Sequence, residues 1–151
     1  MSALNLPPYD VKITDKEGKQ QIFDPLRKSY VALTPEEWVR QHFVHYLINH
    51  KGYPISLMGN EISITLNGMN RRCDTVVYDR ALQPKAIIEY KASTVKITKD
   101  VFAQISRYNL VLKVDYLIVS NGIQHYCCKM NYEENSFTFL SEIPEYLKLI
   151  E

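Results

Sequence analysis

The sequence predicts an α/β (α+β) fold, a mixed β-sheet flanked by helices, and three observations carry that expectation. A capped helix signal opens at Thr34, a second opens at Thr98, and short runs rich in β-branched and aromatic residues lie before, between and after them. At 151 residues, 46% hydrophobic and 23% charged, the chain reads as one globular domain with its own core. Its expected parts are 1–33 (N-terminal strands and extension), 34–130 (the main core) and 131–151 (a C-terminal strand and short helix).

Residues 1–10 form a lead-in containing Pro7-Pro8. Residues 11–14 and 20–23 flank Asp15-Lys16-Glu17-Gly18, which reads as a hairpin turn. Residues 29–33 are extended and lead to the first helix. Thr34 suits its N-cap, Pro35 its first position, and Glu37 its third, completing a capping box. That helix should run to about Asn49 and stop before Gly52 and Pro54, with Val39, Phe43, Tyr46 and Leu47 as its apolar face. Glu36 is placed on the same face. Residues 55–58 and 62–66 are extended, a turn follows at Asn67-Gly68, and residues 72–78 alternate as a strand. A turn over 79–84 leads to the apolar run 86–91. Thr98 caps a helix to about Leu112, with Val101, Ile105, Tyr108 and Leu112 as its stripe. Residues 116–119 form a buried strand ended by Asn121-Gly122, residues 123–130 and 136–140 are further strands, and 144–150 is a short helix.

Composition narrows the function classes. A net charge of +1 makes no global electrostatic case for nucleic acid, so any such binding needs a local basic patch. Cys73, Cys127 and Cys128 are an odd set with no CxxC spacing, which argues for reduced structural thiols over a disulfide framework or zinc ribbon. His42 and His45 are three apart, but no third ligand appears at a matching spacing. There is no Ser-His-Asp arrangement and no dinucleotide fingerprint. Neither a signal peptide nor an apolar run of membrane-spanning length is present, so a cytoplasmic protein without a membrane partner is expected.

The residues that suggest chemistry are Asp74 on one strand and Glu89-Tyr90-Lys91 at the end of the next. Strand alternation puts Glu89 and Lys91 on one side. If the strands are neighbours, two carboxylates and an ammonium meet. Carboxylates about 4 Å apart repel by about 4 kcal/mol at an effective dielectric near 20, so the pair calls for a cation or for Lys91. A magnesium site fits. The alternative is Asp74 at a solvent-facing strand end with Glu89 paired to Lys91. Glu36, without a capping role, could reach the site from the first helix, with Glu37 in its place if the helix is rotated. Gln104 and Tyr108 share a face of the second helix; a Gln there is either exposed or has a polar partner, because an unpaired buried amide is costly.

Together, Asp74, Glu89-Tyr90-Lys91, the helix bearing Glu36 and Gln104-Ile105-Ser106-Arg107-Tyr108 resemble a PD-(D/E)xK nuclease core. More narrowly, they resemble the N-terminal nuclease domain of type I restriction enzyme R subunits, in which QxxxY follows the core motif. The resemblance covers roughly residues 22–125, and the segments 23–28 and 34–41 are similar to small single-domain members. It implies a restriction-endonuclease-like fold and a Mg2+-dependent DNA endonuclease that hydrolyses phosphodiester bonds, with Mn2+ as substitute. By this resemblance Asp74, Glu89 and Glu36 hold metal, Lys91 is the catalytic lysine, and Gln104 and Tyr108 support the site. Cys73 stands where the family name has proline. No GxxxxGK[ST] loop is present, so the chain is not expected to translocate DNA by itself. Arg71, Arg72, Lys96, Lys99 and Arg107 are the expected DNA contacts, with Arg27, Lys28 and Arg40 behind them, all reading phosphate and not sequence. A homodimer, or separate restriction or helicase subunits, would be partners beside DNA. The competing readings are an inactive nucleic-acid-binding or subunit-interaction module, a Tyr-rich oligomer interface, and a nuclease for RNA or branched DNA.

Overall fold

The computed structural model describes residues 2–66, 68–110 and 112–151, less the side chains of Leu66, Tyr108 and Leu110. Two sheets and three α-helices are present among them. Strands β1 (Ile13–Lys16), β2 (Lys19–Asp24) and β3 (Ser29–Ala32) form a small antiparallel sheet. Helix α1 (Pro35–His50) follows. Then come β4 (Met58–Leu66), β5 (Met69–Tyr78), β6 (Pro84–Tyr90), α2 (Lys99–Leu110), β7 (Tyr116–Ser120), β8 (His125–Asn131), β9 (Ser136–Phe139) and α3 (Tyr146–Leu149). The larger sheet runs in the order β4-β5-β6-β7-β8-β9. Its β6–β7 pair is parallel and the others are antiparallel. A parallel pair cannot be closed by a hairpin, and α2 lies in that crossover. The expected mixed sheet with helices is the observed architecture.

Helices cover the sheet on both faces. Val39, Phe43, Val44 and Leu47 of α1 pack with Val77, Ala86, Ile88 and Ile118. Phe102 and Ile105 of α2 pack with Leu117, Val119, Cys128 and Met130. Strand β7 therefore sends Ile118 to one layer and Leu117 and Val119 to the other, and all five of its residues are buried. This is why it reads in sequence as a continuous apolar run. All three cysteines are buried free thiols. None of the described helices is long and apolar enough to cross a membrane.

Several boundaries differ from expectation. Residues Ile55–Leu57 form a 3-10 turn, closed by Leu57 N–H donating to the Pro54 carbonyl (3.1 Å), and β4 begins only at Met58. The expected turn at Asn67-Gly68 keeps Gly68 at φ +77°, while Asn67 lies outside the described residues. Helix α2 ends at Leu110; of the expected stripe, Ile105 is buried and Val101 half-buried, Leu112 is buried beyond the helix end, and Phe102, Ser106 and Asn109 are buried in addition. Phe102 packs toward Phe139 (ring centroids 5.0 Å) and Phe137 (5.9 Å) on β9.

Helix α1 starts as its sequence directs. Thr34 Oγ1 accepts the Glu37 N–H at 3.0 Å, with Pro35 in the first turn. Thr34→Ala should cost about 1 kcal/mol. A thermal melt should then show Tm lowered by about 2–4 °C.

Candidate active site

Asp74 and Glu89 come together where the β5–β6 ladder ends. The last paired residues are Thr75 and Ile88. One position further, Asp74 Oδ2 accepts the Tyr90 N–H at 2.9 Å, so a side chain takes over from the main-chain ladder. Glu89 is 8% exposed, and Arg71 Nη2 donates to its Oε1 at 3.1 Å. Burial pushes the Glu89 carboxyl up to about 8; the adjacent Asp74 charge and a hydrogen bond between the two carboxyls push the same way, against the pull of Arg71 and Lys91. Lys91 follows β6 and stays beside β7 through its N–H to the Ser120 carbonyl (2.9 Å). Asp74, Glu89 and Lys91 all line an open cavity of about 600 Å³. The expected meeting of two carboxylates and a lysine is present.

Another part of the same cavity wall is a network that sequence reasoning missed, with Arg27, Glu37, Arg40, Glu61 and Arg72 all lining the cavity. Asp24, Arg27, Glu37, Arg40, Glu61 and Arg72 form a continuous chain of ion pairs in that order. Carboxylates and guanidiniums alternate along it. Glu37 Oε1 accepts from Arg27 Nη2 (2.7 Å) and Arg40 Nη2 (2.6 Å), while its Oε2 accepts from Arg40 Nε (2.9 Å) and Gln41 Nε2 (3.0 Å). Asn60 Nδ2 donates to Asp24 Oδ2 at 2.9 Å. Thr75 donates to Asn60 Oδ1 (2.6 Å) and is hydrogen-bonded to the Tyr90 hydroxyl (3.0 Å). The polar chain thus ties the small sheet to α1 and to the strands carrying the acidic pair.

This network corrects the expectation for Glu36. Glu36 is exposed, although it lines the cavity, and Glu37 is the inward carboxylate at 5% exposure. The capping box is only half formed: Glu37 lends its N–H to Thr34, but two arginines take its carboxylate. Sequence marked both arginines as reserve DNA contacts; both are ion-paired within the network and both line the cavity.

Burial alone would raise the Asp24 and Glu37 carboxyls. Hydrogen bonds outweigh it and lower both: from Asn60, Arg27 and the Leu26 N–H to Asp24, and from Arg40, Gln41 and Arg27 to Glu37, with Arg40's charge adding to the effect. A lowered folded pKa contributes stability that is present above the unfolded values, 3.8 and 4.5, and lost as pH falls through the folded ones. In denaturation midpoints, the contribution of these two groups should therefore be full above about pH 5.5 and fall away below it. The raised Glu89 carboxyl acts in the opposite sense, its contribution being lost as pH rises from 4.5 to about 8. Asp24→Asn should flatten the acid-side fall.

The chain matches the family described as type I restriction enzyme R protein N terminus (HSDR_N) over residues 35–144. It belongs to that family. A solved fragment assigned as an HsdR subunit of a type I restriction enzyme from Vibrio vulnificus YJ016 matches with a TM-score of 0.52 at 17% identity, over 78% of this chain and 25% of that one. The likeness is one of fold. A DrdV–DNA complex matches with a TM-score of 0.45 at 17% identity, over 78% of this chain and 11% of that one, too low to argue from. The chain thus spans a quarter or less of either structure's length. No curated protein matches it.

The other expected site residues of this HSDR_N domain fall into place unevenly. Gln104 is exposed, which settles the alternative left open by its sequence context, and it lines a second cavity of about 250 Å³ with Arg71, Glu89 and Lys91. The side chain of Tyr108 lies outside the described residues. Arg72 is exposed and pairs with Glu61 Oε2 at 2.7 Å. Lys28, Lys96 and Arg107 are exposed, and Lys99 lines a separate, mainly apolar cavity with Phe102 and Phe139. His42 is bonded through Nδ1 to the Trp38 carbonyl (2.8 Å), and His45 stacks on Tyr9 at 3.8 Å, consistent with structural roles.

The donor set suits a hard divalent cation. Magnesium takes one or two carboxylates and keeps several waters, and a buried carboxyl pair that repels itself is relieved by such an ion. Among the described residues no group of three His, Cys, Asp or Glu is arranged to hold a metal. Glu36 therefore does not complete a three-ligand cluster with Asp74 and Glu89.

Proposed function

We propose that the domain is a Mg2+-dependent DNA endonuclease of the PD-(D/E)xK class. The carrying observation is the Asp74–Glu89 carboxyl pair beside Lys91 in the wall of an open cavity, in a member of a restriction-enzyme R-protein family. Asp74 and Glu89 would hold the ion, with Glu36 at the cavity wall within reach of its waters. Bound metal polarises a phosphate and generates hydroxide near neutral pH. Lys91 orients the attacking water and offsets charge growing on the phosphate. Gln104 supports Lys91 and Glu89 from the second cavity, and Tyr108 is assigned to the same support. Arg71, Arg72, Lys96, Lys99 and Arg107 contact DNA phosphates. Two cuts in a duplex need two such sites, supplied by a second copy or by a larger restriction assembly.

The test is incubation with supercoiled plasmid, linear duplex, single-stranded DNA and RNA, in Mg2+, Mn2+ or EDTA. Metal-dependent nicking or linearisation of DNA is expected, and EDTA should abolish it. A protein that binds Mn2+ but cuts none of these substrates would instead be a non-catalytic module of this fold.

A further inference from the structure

We infer that Arg40 is a positioning residue for the proposed metal site, acting through the main chain of Asp74 without touching metal or DNA. The inference rests on the nuclease reading and concerns how that site is held.

The β4–β5 ladder pairs Asn60 with Thr75 and Ile62 with Cys73, yet Glu61 and Asp74 between them form no pair. Glu61 has φ +58°, the left-handed region that non-glycine residues enter only when their surroundings hold them there. On the other side, the β5–β6 ladder stops at Thr75 and Ile88. Asp74 thus carries no ladder partner toward either neighbouring strand, at the position where the acidic pair has to be exact to a fraction of an ångström to share an ion.

Arg40 supplies the missing restraint. Its Nη1 donates to the Asp74 carbonyl at 2.8 Å, and its Nη2 donates to Glu61 Oε1 at 2.9 Å, bridging the interruption. Its Nε and Nη2 are aimed by Glu37. A guanidinium fork fixed by two carboxylates presents its remaining donor in one direction, and such charge-assisted bonds are strong and directional. Arg40 borders the cavity but is only 6% exposed, and its Nε, Nη1 and Nη2 are already engaged by Glu37, the Asp74 carbonyl and Glu61. Asp74 is then held from two sides, by Arg40 on its carbonyl and by the Tyr90 N–H on its carboxylate.

The decisive variant is Glu37→Met/Arg40→Met. Replacing a buried ion pair by apolar side chains is often near neutral, so much of the stability lost in Arg40→Met should return while the bond to Asp74 does not. If Arg40 positions the site, Mn2+ binds the double variant about tenfold or more weakly than wild type, as for other outer supports of metal ligands. In metal-free protein the Tyr90 amide should exchange about tenfold faster, with Ile88 unchanged. Recovery of wild-type Mn2+ affinity and Tyr90 exchange together with stability would reduce Arg40 to a stabilising partner of Glu37. Should the double variant fail to unfold cooperatively, Arg40→Lys decides. One ammonium keeps the charge but cannot span Glu37 and the Asp74 carbonyl together, so the same loss of affinity is expected, and wild-type affinity overturns the inference. Wild-type protein that binds no Mn2+, or binds it independently of Asp74, overturns the nuclease reading as well. Wild-type binding that the Arg40 variants leave unchanged overturns this inference alone.

Discussion

Lys91→Ala should lower metal-dependent cleavage by about 10²–10⁴-fold, the usual worth of a positioned proton-transfer group, while leaving Mn2+ binding in place. Asp74→Asn and Glu89→Gln should lose cleavage and metal binding together. The separation follows from the geometry. Lys91 joins the site from beyond the end of β6 and acts on Glu89 through its charge, whereas Asp74 and Glu89 are the adjacent carboxyls of the cavity wall. Calorimetric Mn2+ titrations beside plasmid-cleavage rates measure both quantities. Equal cleavage by wild type and Lys91→Ala would remove the lysine from the mechanism.

Arg40→Met should be the most destabilising single substitution in the network, by about 3–5 kcal/mol. It strips Glu37, 5% exposed, of the fork that holds both its oxygens and leaves Arg27 and Gln41 as its partners. For a domain of this size the loss corresponds to Tm lower by roughly 6–20 °C. Since typical domains have only about 5–15 kcal/mol in total, partial unfolding at growth temperature is expected. Urea denaturation of Arg40→Met, Glu37→Met and the double variant gives the coupling directly. The double variant should be more stable than the sum of the single losses allows.

The acidic pair was legible because it depends on local rules. Two extended runs, a short turn between them and side-chain alternation are enough to bring Asp74 and Glu89 together. The parallel β6–β7 pair was likewise implied by a strand, a helix and a strand in succession. Glu37 was not legible, for a physical reason. Its spacing from Thr34 fits a capping box, and α1 is buried along Val39–Val44 almost all round, so helical periodicity does not say which glutamate faces inward. That choice was made by Arg27 and Arg40, which arrive from another segment and from one turn further along the helix. Glu61 gave no signal either, because nothing in a single sequence marks a non-glycine residue as left-handed. Around Asp74, strict alternation also fails: Cys73 and Val76, three apart, pack in the same cluster. For Gln104 the sequence left exposure and a polar partner both open, because a single sequence does not fix how a helix is rotated, and the structure exposes it.

Crystals soaked in Mn2+ and measured at the manganese edge test the central reading most directly. The predicted result is an anomalous peak bridging the Asp74 and Glu89 carboxylates, with Lys91 beside it, and no peak in Asp74→Asn crystals. A wild-type map without manganese at that position would contradict it.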